Sequence, residues 1–171
     1  MAQNIFNLSP NDRAQYAELL RERIYSTITL LALVVVLWQH PSDYTAWGVI
    51  GTIIGTVGAL WLATLIASRM SYRIIHDGSE LESHYRKSSE AASGLLSPAG
   101  APVFFVLISM TGLIELMTAL LISVISLVLS LFLFSLVSGS KLASNRIALL
   151  LYSLLIMGLG LAVVALKLAL K

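Results

Sequence analysis

Small residues recur on one face of the second long apolar segment, and their chemistry is that of close helix packing rather than catalysis. The set comprises Gly48, Gly51, Gly55 and Gly58. Their spacing of three, four and three residues places them on one face of a helix, and small side chains let two helix backbones approach closely in lipid. Gly158 and Ala162 repeat this small-xxx-small spacing in the last apolar segment. We interpret both sets as packing faces, either for another span of the same chain or for a partner helix, including one of a second copy.

A second group of polar residues lies within the apolar part of the chain and could line a path for ions or solutes. Ser123, Ser126 and Ser130 share one helix face. Hydroxyls can line a water-filled path, but serines in membrane helices also bond back to their own backbone carbonyls or pack closely. Glu115 is the one acidic residue in the apolar stretch 102–137. Such a residue is a candidate ion or proton site when it is buried in lipid, and an ordinary interfacial residue when it lies in a turn.

The remaining polar residues form no pattern typical of catalysis or metal binding. The chain has no cysteine, no glycine-rich phosphate loop and no nucleophile elbow. His76 and His84 lie near acidic residues, but they lack the tight helical spacing of a dedicated zinc site. We therefore predict that the protein is not an enzyme and that it has no catalytic, cofactor-binding or metal-binding residues.

The composition indicates the class of protein to which these residues belong. Of 171 residues, 57% are apolar and 12% are charged, whereas a soluble domain carries about 25% charged residues. The mean hydropathy is +0.86. These values exclude a water-soluble enzyme and a disordered tail, and a net charge of +2 gives no basis for a nucleic-acid partner. We predict an all-α, polytopic integral membrane protein that forms one membrane domain over residues 1–171.

The N-terminal part of the chain predicts a polar helix followed by two spans. Ser9, followed by proline, has the residue type preferred at a helix start. We expect residues 1–23 to form a cytoplasmic amphipathic helix with Glu22 off its apolar face, or an ordinary polar extension of the first span. The first two spans are expected over residues 24–38 and 46–68.

Residues 102–137 decide the number of spans. A single helix of that length would be about 54 Å long, nearly twice the hydrocarbon thickness of about 30 Å. A split near residues 111–117, where Gly112 offers conformational freedom, gives two spans and places Glu115 in the turn. We therefore expect five transmembrane helices, with four as the alternative, and the last one over residues 147–166.

The distribution of basic residues predicts the orientation of the chain. With five spans or with four, nine of the eleven Lys and Arg residues fall on one side of the membrane, and basic segments remain on the cytoplasmic side. We therefore expect the N-terminus and the loop of residues 70–101 in the cytoplasm, with the protein in the plasma membrane. Within that loop, Ser79 and Glu82 have capping-box spacing, which predicts a short helix.

The chain also resembles a family of small, multi-pass actinobacterial membrane proteins. The motifs that carry this resemblance are Tyr25-Ser26-Thr27, Trp61-Leu62-Ala63 and Ala165-Leu166-Lys167. The resemblance implies about five hydrophobic segments, with a polar residue in a turn near the position of Glu115, and it implies no particular activity. This chain has Ser26 and Thr64 where the family often has Gly and His.

Two functional hypotheses follow from these features. The first is a structural or accessory subunit that packs against a larger membrane protein complex through its glycine-rich helix faces. The alternative is a small homo-oligomeric ion channel or transporter, with Glu115 or the serine face lining the path. Both hypotheses imply the lipid bilayer, a protein partner or self-association within it, and no nucleic acid.

Overall fold

The computed structural model describes residues 10–75, 94–139 and 146–169 of the chain. The helices are α1 (Pro10–Gln39), α2 (Ala46–Ile75), α3 (Gly100–Met110), α4 (Leu116–Gly139) and α5 (Arg146–Ala169). Single turns of 3-10 helix cover Pro41–Asp43 and Ser97–Ala99. No strand occurs in the described residues, and the predicted all-α class is confirmed.

Three of these helices contain stretches that are long and apolar enough to cross a membrane. The stretches are Ala46–Ser71, Leu116–Leu136 and Leu149–Ala169. The apolar helical stretch Ser97–Met110 is shorter, and α3 itself, at 1.5 Å per residue, extends about 16 Å, roughly half of the hydrocarbon core. The helices therefore support a membrane protein with three candidate spans, and the predicted number of five spans is not confirmed.

The helix α1 lies at the centre of the bundle. It packs against α2, α4 and α5. Its fully buried apolar side chains include Leu30, Leu31, Val34 and Val35. The second half of α1 is apolar around most of its circumference, as expected for a helix that its neighbours cover on several sides.

Two side-chain contacts define the directions of the helices. The Gln39 Nε2 amide donates a hydrogen bond of 3.1 Å to the carbonyl of Lys167, so α1 and α5 end at the same end of the bundle. The Arg23 guanidinium lies 6.0 Å from the ring centroid of Phe134, which places the last turns of α4 beside the first half of α1. We call the end that holds Arg23 and Arg69 the basic end, and the opposite one the Lys167 end.

A turn between α3 and α4 breaks the long apolar stretch where the sequence predicts a split. Gly112 has a φ of +79°, a conformation that favours glycine. The Thr111 backbone N–H and hydroxyl both donate to the carbonyl of Ile108, at 3.0 and 2.7 Å. These bonds end α3, and α4 then begins at Leu116. The turn, rather than a single long helix, is therefore the arrangement in the structure.

The segment before α3 differs from its predicted place in a cytoplasmic loop. Leu95 is fully buried and packs against Leu65 of α2, and Pro98 and Ala99 are buried as well. Residues 94–99 are thus part of the bundle, because their apolar side chains fill the space beside α2. The short helix predicted near Ser79 and Glu82 lies outside the described residues.

The helix α1 continues without a break from Pro10 through residue 23, which agrees with a polar helix that extends the first apolar segment. One predicted boundary moves. The helix α2 begins at the predicted Ala46 but continues to Ile75, beyond the expected end at residue 68, because a continuous hydrogen-bonded helix remains favourable beyond its apolar segment.

Candidate functional site

The helix α2 has two distinct faces. Val49, Ile53 and Val57, spaced four residues apart, are buried against the rest of the bundle. Gly51 and Gly55 each lie two residues from Ile53 in sequence, which is about 200° around a helix of 3.6 residues per turn. The glycine face therefore points away from the bundle, opposite the aliphatic face that anchors α2.

The glycine face has no neighbour in the described structure. A Cβ atom built on Gly51, Gly55 or Gly58 would meet no atom within 4 Å. Ala59 and Ala63, which extend the face by another turn, are exposed. Packing of this face against another span of the same chain, the first alternative from the sequence, does not occur among the described residues. We call Gly51, Gly55, Gly58, Ala59 and Ala63 the glycine face.

Gly48 has a different role from the other three glycines of the predicted set. Its backbone N–H donates to the Thr45 hydroxyl at 3.1 Å, which is the hydrogen bond of a helix N-cap. A Cβ at position 48 would lie 3.2 Å from that hydroxyl oxygen. Gly48 is thus part of the start of α2, and the glycine face begins one turn later at Gly51.

The polar side chains beside the glycine face bond to their own helix. The Thr52 hydroxyl donates to the carbonyl of Gly48, and the Thr56 hydroxyl donates to the carbonyl of Thr52, each at 2.8 Å. Because their hydrogens are used within α2, these threonines present mainly their methyl groups. The surface offered to a neighbour is therefore smooth and largely apolar.

The last helix uses a different glycine for packing than the spacing predicts. Gly158 and Ala162 are exposed, and a Cβ at position 158 would meet nothing within 4 Å. Gly160 is buried, and a Cβ there would lie 2.8 Å from Leu131 of α4 and 3.6 Å from Leu31 of α1. Gly160 lets the three helices approach closely. The small-xxx-small spacing does not reveal Gly160, because no second small residue lies three or four positions away on the packed face.

The serine face of α4 is held by local hydrogen bonds. Ser123 is fully buried, and its hydroxyl donates to the carbonyl of Ala119 at 2.7 Å. Ser126 and Ser130 are half-buried, and the Ser130 hydroxyl donates to the Ser126 carbonyl at 2.8 Å. These bonds are typical of serines that pack within membrane helices rather than line water.

Glu115 lies in the turn between α3 and α4 and is exposed. Its backbone carbonyl accepts the Ala119 N–H at 3.0 Å, which begins the hydrogen bonding of α4. The turn lies at the Lys167 end of the bundle, since α4 runs opposite to α1. This position corresponds to the interfacial alternative for Glu115, in which water reaches the carboxylate.

A polar cluster near the basic end is the feature that the sequence analysis did not identify. Its buried members are Glu22, Ser26, Thr27, Ser135 and Ser153. Glu22, predicted to lie off the apolar face of a surface helix, is only 7% exposed and accepts a hydrogen bond of 3.1 Å from Arg21. That prediction is wrong because the bundle reaches one turn further along α1 than the apolar sequence does.

Several atoms near this cluster have no hydrogen-bond partner within the described part of the chain. The Ser26 and Thr27 hydroxyls donate to the carbonyl of Arg23, at 3.1 and 2.6 Å. By contrast, Arg23 Nε, Ser135 Oγ and Ser153 Oγ are buried without a partner. The sequence offers one indication of this cluster: Glu22 and Arg23 directly precede an apolar run. Charged side chains at such a position cost several kcal/mol of free energy unless they are paired.

The structure identifies no metal centre in its described residues, where no three His, Cys, Asp or Glu side chains are grouped to hold a metal ion. His76 and His84 lie outside these residues. No family model, curated protein or solved structure matches the chain. The resemblance to small actinobacterial membrane proteins therefore stays a prediction.

Proposed function

We propose that the protein is an accessory subunit of a larger membrane complex, docked through the glycine face of α2. The observation that supports this function is the open space over Gly51, Gly55 and Gly58. A helix with this pattern is suited to close backbone packing, and no other helix covers the pattern within the described part of the chain. We assign the occupant of the face to a helix of another protein.

The energetics of helix association in lipid favour this assignment. Two helices gain little hydrophobic free energy when they leave lipid for each other, so association depends on close van der Waals packing and on shape. The five positions of the glycine face carry no side chain larger than a methyl group, and the neighbouring threonine hydroxyls donate within α2. A partner helix can therefore approach without having to satisfy any polar group of α2.

We further infer that the protein lies in the plasma membrane with the basic end in the cytoplasm. Arg21, Arg23 and Arg69 lie at that end of the bundle, and Arg146 begins α5 there. Basic residues next to spans remain on the cytoplasmic side. In this orientation, the loop of residues 40–45 and the turn at Glu115 face the outside.

The alternative function, a small homo-oligomeric channel or transporter, has less support. Two of the three hydroxyls on the serine face donate to carbonyls of their own helix, and Glu115 lies in an exposed turn. Its test is flux through liposomes that hold the purified protein. A flux that changes in Glu115→Gln would favour the channel, and a flux equal to that of empty liposomes for several ions would count against it.

The docking proposal is tested by leucine substitutions on the glycine face. Gly51→Leu and Gly55→Leu add bulk where the partner helix would lie, while the bundle itself has open space there. We expect both variants to fold and to lose a stoichiometric partner when the protein is purified from its source membrane after mild extraction. Quantitative mass spectrometry of the purified complex measures that loss.

The matched control is Gly100→Leu, which makes the same change at the exposed start of α3, where a Cβ would also meet nothing within 4 Å. We expect this variant to retain the partner at the wild-type ratio. A partner that is retained in Gly51→Leu and Gly55→Leu would contradict the proposal, and so would equal losses in all three variants.

A further inference from the structure

Three helices bring unpartnered hydrogen-bond donors together near the basic end. Arg23 Nε on α1, Ser135 Oγ on α4 and Ser153 Oγ on α5 are all buried without a partner among the described residues. The two serines are 2% and 0% exposed. Because a buried polar group without a hydrogen bond is destabilising, these three donors are candidates for contact with a ligand. The fourth such atom, Trp38 Nε1, lies near the opposite end of α1. We call Arg23, Ser135 and Ser153 the donor cluster.

The packing of the helices places these donors at similar depth. The Arg23 guanidinium lies 6.0 Å from the centroid of the Phe134 ring. Because Phe134 directly precedes Ser135, Arg23 lies beside the turn of α4 that holds Ser135. On the other side of α4, Leu131 is the residue that Gly160 of α5 approaches. Ser135 lies four residues beyond Leu131, which is about 6 Å toward the basic end at 1.5 Å per residue. Ser153 lies seven residues before Gly160, which is about 10 Å toward the same end. Since α4 and α5 run in opposite directions, the serines lie within about one helical turn of each other.

The charges around the cluster favour an anionic ligand. Arg21 forms ion pairs with both nearby carboxylates, at 3.7 Å to Glu18 and 3.1 Å to Glu22. Arg23 has no carboxylate partner in the described part of the chain, and its guanidinium lies 6.0 Å from the centroid of the Phe134 ring. An arginine N–H can only donate, and a serine hydroxyl can donate as well. The ligand must therefore supply acceptor oxygens and negative charge.

We propose that the donor cluster binds a phosphate group that enters from the basic end of the bundle. Arginine with hydroxyl donors is a common set of phosphate ligands, and basic sites between membrane helices bind lipid headgroups on the cytoplasmic side. The phosphate belongs either to a phospholipid of the adjoining leaflet or to free inorganic phosphate. This site is independent of the glycine face, which lies on α2.

The test uses the purified full-length protein, delipidated in a nonionic detergent, and follows its melting temperature. Three additives are titrated: phosphatidylglycerol, a diacylglycerol with the same acyl chains, and inorganic phosphate. We expect saturable stabilisation by phosphatidylglycerol and none by diacylglycerol, which lacks the phosphate. If inorganic phosphate stabilises the protein saturably and competes with the lipid, the free ion is the source of the phosphate group. If inorganic phosphate does not stabilise the protein, the lipid is the source.

The variants separate this site from general charge attraction. We expect Arg23→Gln to weaken the apparent affinity about tenfold or more, because it removes a charge-assisted contact. The matched control Arg21→Gln, on an arginine whose side chain is 71% exposed, should stay within about twofold of the wild type. Ser135→Ala and Ser153→Ala remove a single oxygen each and should weaken binding about threefold to tenfold. These two variants test the site if Arg23→Gln does not fold.

Three results would overturn the proposal. The first is an equal loss of affinity in Arg21→Gln and Arg23→Gln, which would indicate diffuse attraction. The second is equal stabilisation by diacylglycerol and phosphatidylglycerol. The third is a rise in melting temperature in Ser135→Ala and Ser153→Ala with unchanged lipid affinity, which would mean that the hydroxyls are simply unpaired.

Discussion

Position 160 has no room for a side chain, whereas position 158, half a turn away on the same helix, faces open space. The difference arises because Gly160 lies where α5 crosses α1 and α4, next to the buried Leu31 and Leu131. Close-packed interiors tolerate little added volume. A glycine in this bundle is therefore structural when it faces a neighbouring helix, and available for other contacts when it does not.

Gly160→Leu is predicted to destabilise the bundle by about 3 kcal/mol, the upper part of the range for overpacked cores. The first added carbon would already lie 2.8 Å from Leu131, and the further carbons have no cavity to enter. Thermal unfolding in detergent measures the effect. Gly158→Leu is the control, and it should be neutral or stabilising by up to about 1 kcal/mol through helix propensity. Equal stability of the two variants would contradict the packing derived for Gly160.

At the scale of the elements, the sequence predicts most helices but not the sides on which they contact each other. The start of α2 at Ala46 and the break after Met110 follow from composition and length. The burial of Glu22 and Leu95 does not, because periodicity along one helix carries no information about which neighbour arrives beside it. For the same reason, the spacing of Gly51 and Gly55 predicts a packing face but not the helix that would cover it.

The turn between α3 and α4 depends on Gly112, whose φ is +79°. Gly112→Ala is predicted to destabilise the protein by about 1–2 kcal/mol, the cost of this conformation for a residue with a Cβ. Gly112→Asn should be milder, since asparagine tolerates the left-handed region better. Melting temperatures of both variants in detergent measure the effect. An alanine variant as stable as the wild type would contradict the turn geometry.

At the scale of the whole molecule, the bundle is asymmetric in two ways. Most basic residues of its described part lie at one end, with Lys167 at the other, and α2 turns its glycine face away from the central helix α1. The first asymmetry predicts an orientation in the membrane, and the second leaves one helix face for a partner.

The orientation is tested with single cysteines, since the native chain contains none. Cysteines at Ser42 and Glu115, which are exposed at the Lys167 end, should react with a membrane-impermeant thiol reagent from outside the cell. A cysteine at Ala17, exposed toward the basic end, should react only after the cytoplasmic side is opened. Labelling of Ser42→Cys and Glu115→Cys from opposite sides would contradict the helix directions.

We propose above that a helix of another protein covers the glycine face. The most direct measurement is photo-crosslinking in the source membrane from position 62, which lies on that face one turn beyond Gly58, with position 129 on α4 as the control. Both are leucines, 54% and 53% exposed. We expect a protein adduct of one defined mass from position 62, and lipid adducts alone from position 129. Lipid adducts alone from both positions, or a product from position 62 with twice the mass of the chain, would contradict the proposal.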